Sequence, residues 1–357
     1  LNKLWEIGRN IQRTSIRRVT MDTPGSRQKT YLIDAYMQSV CAASVFGDYD
    51  LSEKMMRAFA ASQYENGDIP ALAQGHDNRA QIDHLFLFPV WLLWHFKSTG
   101  NWNLLHDMLP HLDLLFEFFV SLRDEGTMLL SDLPPEIFAV SHLSQRELRN
   151  GGTSTAINAL YCRFLLSSRE VNELAQRYDV AERCIDEASV LGSSLMKVAY
   201  DKENKLFCDY VKEGKQSESS SAFTNFIAMY SGLSEFEYFE DMFYRYFNYD
   251  PPFSKYPDET DNPYFSMFFL STMFNLGQTD WAIRYIKDFW GRRIDESAGN
   301  WRDINMFETL EYSATGSHII SPNSLLVTEV AGLREAEPRF GAVYFNPAIT
   351  SVKWCKL

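Results

Sequence analysis

Residues 84–122 read HLFLFPVWLLWHFKSTGNWNLLHDMLPHLDLLFEFFVSL, and this stretch indicates the fold. In its second half, apolar side chains recur at three- and four-residue steps, which places them on one face of a helix: Trp102, Leu105, Leu109, Leu112, Leu115, Phe116 and Phe119. Gly100-Asn101 precedes this helix; Gly is favoured just after a helix, and Asn just before one. Two helices joined by so short a turn run antiparallel, so we predict a helical hairpin, with a kink at Pro110.

Helical spacing of this kind recurs along the whole chain. It predicts helices near 1–13, 31–46, 51–63, 84–99, 102–122, 153–176, 178–200, 221–231, 234–247, 263–277, 279–290 and 320–333. Short turns tend to alternate with long connections at 65–82, 125–152, 249–262 and 291–319. Long loops in a compact domain are usually functional, so we expect them to build a cleft at one end. The sequence therefore predicts an all-α fold, an (α/α)6 toroid of six helical hairpins, with residues 1–340 as one barrel domain.

Strand signals are few and lie mostly near the end of the chain. Lys205–Val211 is predicted to form the edge of a small hairpin, and Gly341–Phe345 and Thr350–Trp354 are predicted to be short β strands. We expect residues 341–357 to begin a C-terminal β segment.

Composition excludes several classes of protein. The net charge is −13, with 34 basic and 47 acidic residues, and no basic run suggests a nucleic-acid partner. The apolar runs are too short for a bilayer, so no membrane partner is expected. No GxGxxG, P-loop or HExxH is present, so we expect neither cofactor nor metal. Five cysteines without a CxxC indicate buried thiols. A periplasmic or extracellular location is expected over a cytoplasmic one.

Two groups of aromatic residues differ in their neighbours. Trp91, Trp94 and Trp281 sit at helical spacing among Leu and Phe, which predicts a place in the core. Trp301 and Tyr312 lie in the long 291–319 loop near several carboxylates. Aromatic rings at such positions stack on the C–H faces of sugars, so this loop predicts a glycan cleft.

Several ordered motifs support that interpretation. The stretch Asp22–Ala35, DTPGSRQKTYLIDA, resembles the signature D-x-P-x-R-E-R-x-x-W-x-G-D-A of the six-hairpin α-L-rhamnosidases, glycoside hydrolase family 78. Other segments resemble that family's motifs in the same order: Gln63–Pro70 (QYENGDIP), the helix from Asp83 to Trp102, Asn305–Glu308 (NMFE), Ser317–Pro322, Ala331–Leu333 and Phe340–Pro347. The resemblance covers almost the whole chain and implies hydrolysis of α-L-rhamnosides, with an oligosaccharide or rhamnosylated glycan as substrate. It also implies that residues 1–340 are a barrel domain of catalytic type, flanked in the full protein by β domains that we expect to be absent from this sequence.

The resemblance also implies an inverting mechanism and its residues. Inversion uses two carboxyl groups about 6.5–9.5 Å apart, one as general acid and one as general base for water. The base falls on Glu308. Glu311, which lies one turn away if that loop is helical, is its substitute. The expected substrate-binding residues are Arg27, Tyr31, Asp83, His84, Trp301 and His318. Asp83 and His84 have a structural alternative, as a helix N-cap followed by a surface histidine.

The sequence departs from the family at the general acid. The acidic position of the signature is occupied by Arg27, or by Gln28 with a one-residue shift, and neither side chain can donate the proton. Asp22 and Asp34 are the nearest carboxyl groups that could replace it, although acidic residues at a helix start also serve as caps.

Two further functions stay open at the level of the sequence. One is a family member that binds a sugar without cleaving it, which the altered acid position favours. The other is a toroid of the polysaccharide lyase type, in which Tyr31, His84 or His318 acts as base and Arg27 neutralises a uronate.

Overall fold

The computed structural model spans the chain and describes residues 1–15, 31–73, 80–134, 137–139, 151–233, 263–291, 294–295, 300–301, 322–348 and 352. Helices dominate these residues. The helices are α1 Asn2–Ser15, α2 Leu32–Phe46, α3 Asp50–Ala60, α4 Ile82–Leu85, α5 Phe88–Thr99, α6 Trp102–Ser121, α7 Thr155–Leu174, α8 Tyr178–Ala199, α9 Ala222–Tyr230, α10 Pro263–Asn275, α11 Thr279–Gly291 and α12 Asn323–Leu325.

The strands of the described residues are two or three residues long. They are β1 Ala80–Gln81, β2 Ile137–Phe138, β3 Thr153–Ser154, β4 Tyr200–Asp201, β5 Leu206–Phe207, β6 Tyr210–Lys212, β7 Lys215–Gln216, β8 Ile294–Asp295, β9 Asn300–Trp301, β10 Leu333–Glu335 and β11 Val343–Phe345. β1 pairs with β2 in parallel, and the antiparallel sheets are β3-β6-β7, β4-β5, β8-β9 and β10-β11. These sheets tie loops to helix ends, and the predicted strands near 205–211 and 341–345 are among them.

Most predicted helices are confirmed, with ends that agree within three residues. The predicted helix at 234–247 and the strand at 350–354 lie outside the described residues, apart from Val352. The agreement follows from burial: helices with one apolar face keep their 3.6-residue period whatever they pack against.

The predicted helix 84–99 is wrong, because the structure divides it into α4 and α5. Pro89 is the second residue of α5 and has no N–H. In a continuous helix its ring would collide with the carbonyl of Leu85, so the chain starts a new helix instead. By contrast, α6 continues through Pro110 from Trp102 to Ser121.

The predicted helix 320–333 is also shorter than expected. α12 ends at Leu325, and Leu326–Val330 form a π-helical turn closed by the Ala331 N–H, which donates to the Leu326 carbonyl at 3.0 Å. Gly332 then adopts a φ of +68°, and a Cβ there would lie 1.9 Å from the carbonyl oxygen of Asn346. The helix therefore stops where the chain must approach the C-terminal hairpin closely.

By their contacts the residues fall into two compact units: Leu1–Met55, Lys97–Gly100 and Asn248–Leu357 in the first, and Met56–Phe96 and Asn101–Phe247 in the second. The first unit has an aromatic core of Phe269, Trp281, Tyr285 and Phe289. The second has one of Phe86, Phe119, Tyr161 and Phe164.

The predicted burial is confirmed for two of the three tryptophans expected in the core and for four of the cysteines. Trp91 and Trp281 are buried, while Trp94 is half-buried. Four thiols are free and buried as predicted, Cys41, Cys162, Cys184 and Cys208, and Cys355 lies outside the described residues. None of the described helices is long and apolar enough to cross a membrane.

Candidate functional site

Asp34 lies in the first turn of α2, in the first unit. Tyr31 is the N-cap of this helix, with extended backbone (φ −85°, ψ 155°), and its side chain makes no capping hydrogen bond. The Asp34 side chain is fully buried. A carboxylate in the first turn is stabilised by the positive end of the helix dipole. The structure therefore places Asp34 as a buried carboxyl group at the start of α2, three residues after the half-buried Tyr31.

Asp83 and His84 lie side by side in α4, in the second unit. Both side chains are buried, and Gln81 rather than Asp83 is the N-cap. The surface position considered for His84 is therefore wrong. Burial lowers the pKa of His84, and the neighbouring Asp83 offsets part of that shift. A neutral imidazole beside a carboxyl group can accept a proton, which is the state that a base requires.

The segment Gln63–Pro70 is held against α6 by the Gln63 side chain. Its Nε2 donates to the carbonyls of Gly67 (2.9 Å) and His111 (3.0 Å), and its Oε1 lies 2.6 Å from His111 Nδ1. Gly67 has a φ of +91°, and a Cβ there would lie 2.1 Å from the Leu114 carbonyl oxygen. The loop is therefore docked closely against α6.

Asp68 in this loop is a titratable group that no sequence motif had marked as a site residue. Its side chain is buried, and among the described residues its Oδ1 has no hydrogen-bond partner. Burial raises the pKa of Asp68 to about 7, and a hydrogen bond from the Ile69 N–H offsets part of the rise. Its sequence signal is its place in the Gln63–Pro70 motif, directly before the apolar Ile69-Pro70.

Two helix starts in the second unit share one arrangement, which we call the Ser–Asn module. Ser154 caps α7 and Ser221 caps α9, each accepting from a backbone N–H three residues on. The residue four positions after each serine is a buried asparagine. Asn158 pairs with both the N–H and the carbonyl of Leu130 (2.8 and 3.0 Å), and Asn225 pairs in the same way with Phe207 (2.9 and 3.1 Å).

Asp209 connects the starts of α7 and α9, where the Ser–Asn module occurs. Its Oδ1 accepts from the Ser221 N–H (2.8 Å), the Ser221 hydroxyl (2.6 Å) and the Thr224 hydroxyl (2.7 Å). Its carbonyl accepts from the Thr155 N–H at 3.0 Å. These saturated groups hold helix starts in place, so their role is positioning. The signal that could have found them is the repeated spacing of Ser and Asn at 154/158 and 221/225.

Several predicted site residues are not placed by the structure. Asp22, Arg27, Glu308, Glu311 and His318 lie outside the described residues, as does Tyr312. The backbone of Trp301 lies on β9, which pairs with β8 through Ile294. Within the described part of the chain, no group of three His, Cys, Asp or Glu side chains could hold a metal ion.

Comparisons with known proteins give the fold class. No protein-family model and no curated protein matches the chain. The family 78 rhamnosidase of Bacillus sp. GL1 matches with a TM-score of 0.80 and 18% identity, over 94% of this chain and 35% of that one. A rhamnosidase from Klebsiella oxytoca with rhamnose bound matches with 0.70 and 15%, over 91% and 63%.

A second group of matches is the family 63 mannosylglycerate hydrolase of Thermus thermophilus. Its complex with glucose has a TM-score of 0.62 and 14% identity, over 91% of this chain and 98% of that one. By contrast, this chain spans between 33% and 63% of the first four rhamnosidases. At these identities the likeness shows the fold alone. That fold is the all-α toroid of the six-hairpin glycosidases, and the predicted fold class is confirmed.

Proposed function

We propose that this chain is a glycoside hydrolase that cleaves a terminal α-L-rhamnoside, or a related deoxy-sugar, with inversion of configuration. The observation that carries the proposal is the fold match to a rhamnosidase over 94% of the chain at a TM-score of 0.80. The motifs in 22–35, 63–70, 305–308 and 317–322 support it, because they follow the order of the same family.

In this proposal Glu308 is the general base that activates water, and Glu311 is its substitute. Asp34 and Asp22 are the candidates for the proton donor that Arg27 cannot be. Asp83, His84, Tyr31, Trp301 and His318 would contact the sugar. The lowered pKa of the buried His84 supports its role, because titratable groups whose pKa is shifted by burial and a neighbouring charge are concentrated at functional sites.

Incubation with 4-nitrophenyl α-L-rhamnoside and with rhamnosylated oligosaccharides from plant pectin tests the proposal. Glu308→Gln should lower kcat by about 10²–10⁴-fold, because general base catalysis contributes about that much. Glu311→Gln separates the two candidate bases, and the exposed Glu125→Gln is the matched control. Proton NMR of the first product should show the β anomer. Release of no sugar from any linkage, with Glu308→Gln identical to the wild type, would reject the hydrolase.

A second candidate is a sugar-binding protein derived from the same fold, and Arg27 at the acid position favours it. Calorimetry with L-rhamnose distinguishes the two. Saturable binding without turnover, in both the wild type and Arg27→Glu, would support the binding protein. Turnover by the wild type would exclude it.

A further inference from the structure

The surface of the α7–α8 hairpin carries a pocket of about 370 Å³, which we call the Tyr178 pocket. This volume lies in the lower part of the range for small-molecule sites, about 300–1,000 Å³. Two of its residues come from α7 and four from one face of α8: Arg169, Glu173, Tyr178, Ala181, Glu182 and Ile185.

An exposed aromatic ring and an apolar surface form one side of the Tyr178 pocket. Tyr178 is 66% exposed, more than any other large apolar side chain among the described residues. Ile185, seven residues on, is 36% exposed, and Ala181 between them is buried. The face of an aromatic ring carries partial negative charge, which attracts the C–H groups of a saturated ring. This side suits the flat face of a sugar.

Hydrogen-bonding groups form the other side. Arg169 donates to Glu173 Oε1 from Nε (2.9 Å) and from Nη2 (2.8 Å). This ion pair leaves further guanidinium N–H groups and the second carboxylate oxygen available for neighbouring hydroxyls. Glu182 adds another carboxylate, and among the described residues it makes no salt bridge. Two carboxylates against one guanidinium give the pocket a net negative charge, which disfavours uronates and phosphates.

The Tyr178 pocket is separate from the start of α7. Arg169 and Glu173 follow Thr155 by fourteen and eighteen residues along this helix, which corresponds to about 21–27 Å at a rise of 1.5 Å per residue. The Ser–Asn module and the buried Asp209 network therefore lie at the opposite end of α7 from the pocket.

We propose that the Tyr178 pocket is a second saccharide site, which binds a neutral sugar with its ring on Tyr178 and its hydroxyls on Arg169, Glu173 and Glu182. It would hold part of a glycan on the outer surface of the hairpin while another part is free to react elsewhere. The proposal goes beyond hydrolysis and does not depend on it, because binding at this pocket is measured without turnover.

The Ile185 methyl group reports on the pocket alone. In the full chain with ¹³C-labelled isoleucine δ1 methyls, we expect the Ile185 resonance to shift and saturate on titration with L-rhamnose, D-mannose or D-glucose. D-galacturonate should bind at least about tenfold more weakly, because its carboxylate meets the net negative charge. Absence of a shift with all three neutral sugars would overturn the proposal, as would equal binding of galacturonate.

Matched variants complete the test. Tyr178→Ala should abolish the shift, and Tyr178→Phe should retain it, because the ring rather than the hydroxyl provides the stacking surface. Tyr344→Ala is the control, since Tyr344 is 65% exposed on β11 and outside the pocket.

Hydrolysis of 4-nitrophenyl α-L-rhamnoside should be the same in Tyr178→Ala and the wild type. An Ile185 shift that survives in Tyr178→Ala would reject the site, whatever the hydrolysis assay shows.

Discussion

Asp68 is a residue whose burial makes stability depend on pH. Its pKa is about 7 in the folded chain, against an ordinary 3.8, so the native state retains a proton that the unfolded state releases. The free energy of unfolding should therefore fall as pH rises from about 4 to about 7, and the full penalty should remain above pH 7. Asp68→Asn removes the titrating group. Urea unfolding at pH 5 and pH 8 measures the difference in unfolding free energy between the variant and the wild type. From pH 5 to pH 8 this difference should change in favour of the variant by at most about 2–3 kcal/mol.

Glu125→Gln is the control for Asp68→Asn, because it also removes one carboxyl group but at an exposed position. Its stability relative to the wild type should be the same at both pH values. If the Asp68→Asn difference were likewise unchanged between pH 5 and pH 8, the carboxyl group would have an ordinary pKa and the interpretation of its burial would be wrong.

Residue positions were easier to predict than residue environments. Asp34, Asp83 and His84 are placed near helix starts by the spacing of the apolar residues that follow them. Whether such a side chain faces solvent depends on neighbours distant in sequence, and the surface interpretation of His84 was wrong for that reason. Asp68 had still less signal, because nothing in its local pattern indicates the docking of its loop on α6.

At the scale of elements, glycines show how closely a loop approaches a helix. Gly67→Ala would force a Cβ to within 2.1 Å of the Leu114 carbonyl and hold a non-Gly residue at a φ of +91°. We expect a loss of more than about 3 kcal/mol in unfolding free energy. Gly47, the C-cap of α2, has a φ of +68°, but a Cβ at this position would meet nothing within 4 Å. Gly47→Ala should lower the free energy of unfolding by only about 1 kcal/mol. Equal losses in the two variants would show that the 63–70 loop can move away from α6.

The Ser–Asn module predicts a second difference between elements. Asn225→Ala leaves the N–H of the buried Phe207 without its side-chain partner, while the Phe207 carbonyl still accepts from the Ser220 hydroxyl at 2.7 Å. An unsatisfied buried group costs about 1–3 kcal/mol, so the loss should be about 1–3 kcal/mol. Asn204→Ala removes an exposed hydrogen bond to Asp201 and should cost less than about 0.5 kcal/mol. Thermal unfolding of the two variants would measure the contrast, and a small effect in both would make the module dispensable.

Helices with a clear 3.6-residue repeat of apolar residues were predicted well. Element ends that depend on a single contact were predicted poorly. The apolar stripes of α6, α7 and α8 indicate helices without any knowledge of their partners. The division between α4 and α5 comes from the ring of Pro89, and the π-helical turn after α12 ends before the close approach at Gly332. The two- and three-residue strands have too few residues for a period of two to be visible.

At the scale of the whole molecule, the order of the helical hairpins was sufficient to predict the toroid, and structural likeness confirms it. The chemistry was less accessible, because it depends on which side chains meet in space. Glu308 and Arg27 are separated by most of the chain, and only their motifs, not their periodicity, connect them. The acid position is therefore the place where an experiment on activity is most informative.

Arg27→Glu should restore a proton donor at that position and change which leaving groups the enzyme can expel. A 4-nitrophenolate departs without a proton, whereas a sugar alkoxide requires one, and general acid catalysis contributes about 10²–10⁴-fold. We expect Arg27→Glu to raise kcat/KM for a rhamnosyl disaccharide by about tenfold or more. For 4-nitrophenyl α-L-rhamnoside the change should be less than about threefold. Arg27→Gln removes the positive charge without adding an acid, so it should leave the disaccharide rate low. An equal gain in kcat/KM in Arg27→Gln would show that the loss of positive charge causes the effect. No gain in either variant would place the proton donor elsewhere, and Asp22→Asn and Asp34→Asn would be the variants to compare next.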